Sequence, residues 1–283
     1  MTDISAPRPS TLSFAVRRPE MVMGAVLLGA MILIAVLCPY LAAIDPRAMS
    51  PGQRLMMPSA EHWFGTDQLG RDLFARALYG ARVSLLVGAS VAFLASLLGT
   101  IVGMVSASNR RLDAVVMRVM DGVMSIPAIL LAIALMAVTG GSVGNVITAV
   151  TLVEIPRVAR LIRGAVLSLR EQPYVEAAIA AGTTAPRILV RHLLPGIVPP
   201  LLVQATFVWA TAMILEAALS FIGAGTPPTT PSWGNIMADG KALWQVRPSL
   251  IFIPAGFLSL TLLAINLLGD GLRDLLDPRQ KPV

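Results

Sequence analysis

Reactive side chains are scarce in this chain. Its 283 residues include one cysteine and two histidines. Cys38 has no partner for an internal disulfide and lies in an apolar run, where a lone cysteine behaves as a small buried hydrophobe. His62 and His192 fall on opposite sides of the membrane in the topology below, so they form no metal constellation. No G-x-x-x-x-G-K-[ST] stretch occurs, which leaves the chain without that loop for cradling nucleotide phosphates. Charge is scarce as well, at 13% of residues, where soluble chains carry about a quarter. An ordinary soluble domain is thereby excluded, and no catalytic constellation stands out.

What fills the chain is hydrocarbon: 55% of residues are hydrophobic and the mean hydropathy is +0.75. Met21–Leu41, Val83–Ser108, Gly122–Val153 and Pro248–Gly269 contain no Asp, Glu, Lys or Arg. Each can cross a bilayer, because a helix needs about 20 apolar residues to do so. A further span fits His192–Leu215 and continues past Glu216. The first run exceeds the core of a signal peptide, which is about 7–15 residues. Ala35-Val36-Leu37-Cys38 is too bulky for a lipoprotein site, so this run reads as a retained anchor. The third run divides at Gly140-Gly141-Ser142-Val143-Gly144, a glycine-dense turn.

Six spans result, near 20–41, 83–107, 120–139, 144–165, 197–221 and 249–270, in an all-α integral membrane protein. The pI of about 10.4 does not point to nucleic acid, since the basic residues are scattered between spans. They report orientation instead. With the N-terminus inside, 15 of the 22 Lys and Arg fall in cytoplasmic pieces and 7 outside. Short loops obey the positive-inside rule, which favours both termini inside. The divisions expected are 1–60 (tail, first span and start of the outer segment), 61–82 (extracytoplasmic), 83–272 (five-helix core) and 273–283 (cytoplasmic tail). Within the core lie a cytoplasmic loop, 174–195, and an outer loop, 222–248. In the outer segment, Asp67 is a plausible N-cap for a helix whose face holds Leu69, Leu73, Ala77 and Leu78. Trp233 and Trp244 suit the bilayer–water interface.

The loop at 174–195 follows Arg157, Arg160 and Arg163, which stand at helical spacing. Tyr174–Ala181 is rich in Ala and Glu, good helix formers, and Gly182 supplies a stop. Thr183 or Thr184 can cap a second helix at Pro186, and Leu194-Pro195 marks the return to the membrane. Small side chains on the first half permit close approach by another protein. An amphipathic connection at the membrane surface remains the alternative. Asp121 and Glu216 are ionisable groups in or near the spans and are functional candidates on that ground. Asp121 lines a pathway or pairs with Arg118 at i, i+3; Glu216 faces a pore mouth or ties its span to a neighbour.

Glu176-Ala177-Ala178, Gly182 and Leu194-Pro195 together resemble the EAA loop of ABC-importer permeases. His192 departs mildly from the aliphatic residue often found there. Glu216-Ala217-Ala218 repeats the triplet without the downstream Gly and lies at the outer half of its span. FGTDQLGRDLFARALYGARVSL (64–85), LSFIGAGTPPTTPSWGN (219–235) and NLLGDGLRDLLDPR (266–279) extend the resemblance along nearly the whole chain. Together they are similar to the DppC/OppC branch, permeases of dipeptide, oligopeptide and nickel importers in bacterial or archaeal cytoplasmic (inner) membranes.

That resemblance implies a type I ABC-importer permease bundle with no catalytic activity or cofactor of its own. ATP and Mg would be held by two cytoplasmic ATPase subunits. A second permease chain and an extracytoplasmic solute-binding protein would complete the complex, surrounded by membrane lipid. Glu176 would orient or cap the docking helix, Ala177 and Ala178 would allow close packing, Gly182 would make the turn, and Leu194 and Pro195 would return the chain. An ion-gradient secondary transporter would require central charges and repeated halves, of which the sequence shows few and none. A non-transporting scaffold is the other alternative.

Overall fold

The computed structural model describes residues 19–42 and 44–276. The basic residues of the two tails, including Arg8, Arg17, Arg18, Arg279 and Lys281, lie outside the described residues. Helices dominate, and the described residues form no β-strand, only an isolated bridge between Thr66 and Asp72. In chain order the helices are α1 (Pro19–Leu41), α2 (Leu73–Ser108), α3 (Arg110–Met124), α4 (Ala128–Thr139) and α5 (Val143–Arg170). They continue with α6 (Pro173–Ala180), α7 (Ala185–Ile188), α8 (Leu194–Ile222), α9 (Trp233–Gly240) and α10 (Ser249–Leu276).

Short polar side chains start four of these helices by satisfying free backbone donors. Asp72 accepts from Ala75 N (2.6 Å), Asn109 from Arg111 N (2.8 Å), Ser142 from Asn145 N (3.0 Å) and Ser232 from Asn235 N (3.2 Å). The cap of α2 is therefore Asp72, not Asp67. Asp67 is occupied by two arginines, described below, and the 54–67 stretch folds back on itself before the helix begins. Thr184 takes the N-cap position of α7 without a side-chain hydrogen bond.

Helices α1, α2 and α10 are each long and apolar enough to cross a membrane, and so is the continuous run Ala185–Ile222. The stretch expected as one span at 120–139 is instead two helices. Helices α3 and α4 meet at 88°, because Ser125 caps α3 and Pro127 fits a helix only at its start. The expected helix at 144–165 is α5, 28 residues long and charged along its inner half. Leu194-Pro195 opens α8 without a break from the turn before it. A π-turn, Leu189–Leu193, joins α7 to α8. The wider turn accommodates Pro195, which has no N–H to donate and whose ring would crowd the preceding turn of a regular helix.

The centre of the bundle is α2 packed along α5 and α8, with α10 against α1 and α8. Glycine permits the closest of these approaches. A Cβ on Gly99 would sit 2.6 Å from Val158 Cβ, and one on Gly103 would sit 2.6 Å from Ala159 O. This Gly-x-x-x-Gly face brings the α2 and α5 backbones together, as small residues do between membrane helices. Outward-facing side chains such as Val26, Phe93 and Phe252 are large, apolar and exposed, as lipid contact requires. Cys38 is fully buried, its thiol donating to Ala35 O at 3.3 Å.

Candidate functional site

The 174–195 segment folds as a short helix pinned by one side and open on the other. Pro173 supplies the first turn of α6, where its missing N–H costs nothing. Val175 is fully buried, and with Ile188, Leu193 and Ile197 it joins the apolar core that contains Val166 of α5. Tyr174 Oη donates to His192 O across the loop at 3.4 Å. The helix stops where expected. Gly182 has φ +76°, its N–H donates to Ile179 O (2.9 Å), and Thr183 N–H donates to Ala178 O (3.1 Å). Those two bonds and a left-handed glycine close the C-terminus.

Glu176, Ala177, Ile179 and Ala180 are exposed on the other side, while Ala178 is half-buried. Leu194 is half-buried against the core, and Pro195 is exposed. The neighbouring joint is firm: Arg170 donates to Ala107 O at 2.5 Å, tying the end of α5 to the end of α2. The loop thus combines an anchored base with a small-residue face that carries Ile179 and one carboxylate.

Glu216 lies at the opposite end, wholly buried. Its Oε2 accepts from Ser84 of α2 at 3.1 Å and its Oε1 from Ser220 at 2.8 Å. Ser220 continues the network to Thr226, whose backbone N donates to it at 3.2 Å. Asn235 Nδ2 then donates to Thr226 Oγ1 at 2.8 Å and to the carbonyls of Thr226, Pro227 and Thr230. Of the two readings open for Glu216, the geometry matches the tie between neighbouring segments. The second Glu-Ala-Ala triplet therefore lies in a buried outer network, far along the helix from the loop.

Trp233 departs from the interfacial position expected for it. It is fully buried, stacks on Phe257 (6.2 Å between ring centres) and donates from Nε1 to Ala77 O at 3.0 Å. Gly80 makes this possible, since a Cβ there would press on the indole at 2.9 Å. Trp244 is exposed, as an interfacial residue would be.

Asp121 bonds to Arg160 Nη2 at 2.6 Å and not to Arg118. The intrahelical partner was nearer in sequence, but α3 packs against α5, which carries Arg160.

Other charged groups pair in ways that local sequence does not reveal. Asp67, fully buried, accepts from Arg71 Nε (2.6 Å) and from Arg76; both guanidiniums also reach Asp239, at 2.7 and 2.8 Å. His62 Nδ1 pairs with Asp72 at 2.8 Å. The Asp239 contacts fasten the outer segment and the start of α2 to α9, and together these pairs explain why 64–85 carries so many charges beside an apolar span. Glu154, buried, holds Arg157 Nη1 at 2.9 Å; its only sequence signal was the i, i+3 spacing of the two residues.

Residues 95–282 match the family of binding-protein-dependent transport system inner membrane components. The chain belongs to that family. A protein of Sinorhizobium fredii described as a probable peptide ABC transporter permease, y4tQ, is 49% identical over 279 residues, covering 98% of this chain and 96% of that one. The dipeptide transport system permease protein DppC of Alkalihalophilus pseudofirmus is 40% identical over 261 residues, covering 92% of this chain and 86% of that one. The glutathione transport system permease protein GsiD of Escherichia coli is 41% identical over 268 residues, covering 94% and 88%.

In three dimensions, a chain of the inward-facing MetNI methionine ABC transporter superposes with a TM-score of 0.63. It covers 72% of this chain and 98% of its own, at 20% identity, which shows the shared fold. The permease is thus a multi-pass inner-membrane subunit of an ABC importer. It is a membrane component and not the ATP-hydrolysing part.

Proposed function

We propose that this permease passes short peptides or related small solutes into the cell, and that the 174–195 segment is where its ATPase partners push. The anchored, one-sided geometry of α6 carries this reading. A helix with Val175 locked into the core transmits force, and the exposed Glu176, Ala177 and Ala180 offer a close-fitting surface. Gly182 sets the angle between that helix and the return run. The peptide substrate class is supported by the relatives' peptide, dipeptide and glutathione descriptions.

In the assembly proposed, two cytoplasmic ATPase subunits hold ATP and Mg. A second permease chain completes the path, and an extracytoplasmic binding protein delivers the solute. Closure of the ATPases moves the loop, and the spans alternate between inward- and outward-facing arrangements. Glu176 orients the docking helix, while Leu194 and Pro195, just after the π-turn, carry the motion into α8.

Gly182 provides the test. Nothing lies within 4 Å of the position a Cβ would take there, so a substitution acts through the backbone and through whatever docks, not through a clash within the chain. Left-handed backbone costs an ordinary residue about 1–2 kcal/mol, and Asn tolerates it better than most. Gly182→Trp is expected to abolish both dipeptide uptake and binding-protein-stimulated ATP hydrolysis while the chain stays in the membrane. Gly182→Asn is expected to retain both. Full coupling in the Trp variant would refute the coupling role.

A further inference from the structure

Halfway along α5 stands a charged pair that the coupling loop does not use. Arg157 is 14 residues from Val143 and 13 from Arg170, the two ends of α5. At 1.5 Å per residue these separations are about 21 and 20 Å, so the pair sits midway along the helix. Glu154 lies beneath it with 1% of its side chain exposed, accepting from Arg157 Nη1 at 2.9 and 3.2 Å. The Arg157 side chain is 50% exposed. One turn inward, Arg160 donates to Asp121 at 2.6 Å, and both of those side chains are also about half exposed.

The other side of α5 is sealed, with Val158, Ala159 and Ile162 fully buried against α2. A guanidinium facing lipid inside the hydrocarbon core would be expensive, by about 3 kcal/mol on insertion scales. It therefore faces water or a protein group. Its geometry suits one kind of visitor. Glu154 engages only Nη1, and the Nε–Nη2 edge makes no hydrogen bond among the described residues. That planar edge of two donors matches a carboxylate in bidentate fashion.

We propose that Arg157, positioned by Glu154 and assisted by Arg160, lines the water-filled translocation path and takes the carboxylate of the passing solute. The proposal rests on the importer reading and gives its path a chemical preference: solutes bearing a carboxylate, such as peptides with a free C-terminus. A contact with an acidic group of a partner subunit, or with lipid, is the outcome that would replace it.

Leu161 lies one helical turn from Arg157 on the same face, and Cys38 is the chain's single cysteine. The experiment places Leu161→Cys in a Cys38→Ala background, in inside-out vesicles carrying the chain with its partner subunits. Rates of modification are measured with two water-borne thiol reagents of similar size, an anionic sulfonatoethyl and a cationic trimethylammonioethyl methanethiosulfonate. Both are expected to react, with the anion favoured. Arg157→Gln is expected to lower the anion-to-cation ratio roughly fivefold, the scale of one unit charge acting through water over about 7 Å. Arg157→Lys is expected to keep the ratio.

A control at Phe93, 67% exposed on α2, is expected to stay unmodified as Phe93→Cys because it faces lipid. Failure to modify the thiol of the Leu161→Cys variant would place this face in lipid or against a subunit and overturn the proposal. A ratio unchanged by Arg157→Gln would also overturn it. Should that variant fail to accumulate, salt gives the same information in the Leu161→Cys protein itself. Raising ionic strength to about 0.5 M is expected to flatten the ratio, and a ratio insensitive to salt would refute the role of Arg157. Modification needs neither ATP nor transport, so its failure is separable from a failure of coupling at Gly182.

Discussion

Replacing Asp67 would strip two arginines of a shared acceptor and two backbone amides, those of Leu69 and Arg71, of another. Breaking a buried ion pair from one side typically costs about 3–5 kcal/mol, because the remaining charge is left uncompensated. Asp67→Ala is therefore expected to lower the thermal unfolding midpoint of the detergent-solubilised permease and to open the outer segment to protease. An unchanged midpoint would contradict the buried network. The residue was visible in the sequence, but its role was not. An N-cap is a local feature that either Asp67 or Asp72 could supply. The choice is made by Asp239, which meets Arg71 across 168 positions of the chain. Glu216 is similar, as its partner Ser84 lies 132 positions away.

Among the elements, α6 was the most legible. Pro173, an Ala-rich run and Gly182 are local signals, and together they place the helix to within a residue of its observed ends. The bend between α3 and α4 was less legible, because an uncharged stretch reads as one span whether or not Pro127 turns it. The seam between α2 and α5 belongs to this scale too. A larger side chain at Gly103 must push against Ala159 O and Ile162 Cβ, 2.6 and 2.9 Å from the new Cβ. Overpacking of this kind costs about 1–3 kcal/mol. Gly103→Ile is expected to reduce the folded yield and thermal stability of the permease. Gly122→Ala on α3, with nothing within 4 Å, is expected to leave both unchanged. Equal effects from the two would count against a tight seam.

For the whole molecule, the sequence pointed correctly to an all-α membrane bundle and an ABC-importer permease because hydropathy, charge bias and four motifs agree. It left the charged middle of α5 unread. The runs free of charge end at Val153, one residue before Glu154, and the next arginines look like an ordinary inner flank until α5 is seen continuing to Arg170. Assembly is the property tested at this scale. Glu176 is exposed and its carboxylate makes no hydrogen bond or ion pair among the described residues, so Glu176→Lys is expected to leave the permease folded and to weaken its co-purification with the ATPase. Undiminished co-purification would argue that the docking face lies elsewhere.

The helix that leaves the cytoplasmic loop at Ala185 runs for 38 residues to Ile222 without a break, about 57 Å at the usual rise. Ala185 is near the surface where nucleotide-driven closure is proposed, and Glu216 belongs to the network that holds the outer loop. A rod with one softened turn at Leu189–Leu193 and two prolines, Pro199 and Pro200, links the two ends. Coupling through such a rod works in both directions, since an effect of one site on another's affinity is reciprocal by thermodynamic necessity. A solute-loaded protein that settles on the outer face and favours one position of the rod must change, by the same factor, how tightly the inner end holds its motor. Delivery outside would then act as the signal that sets the engine turning.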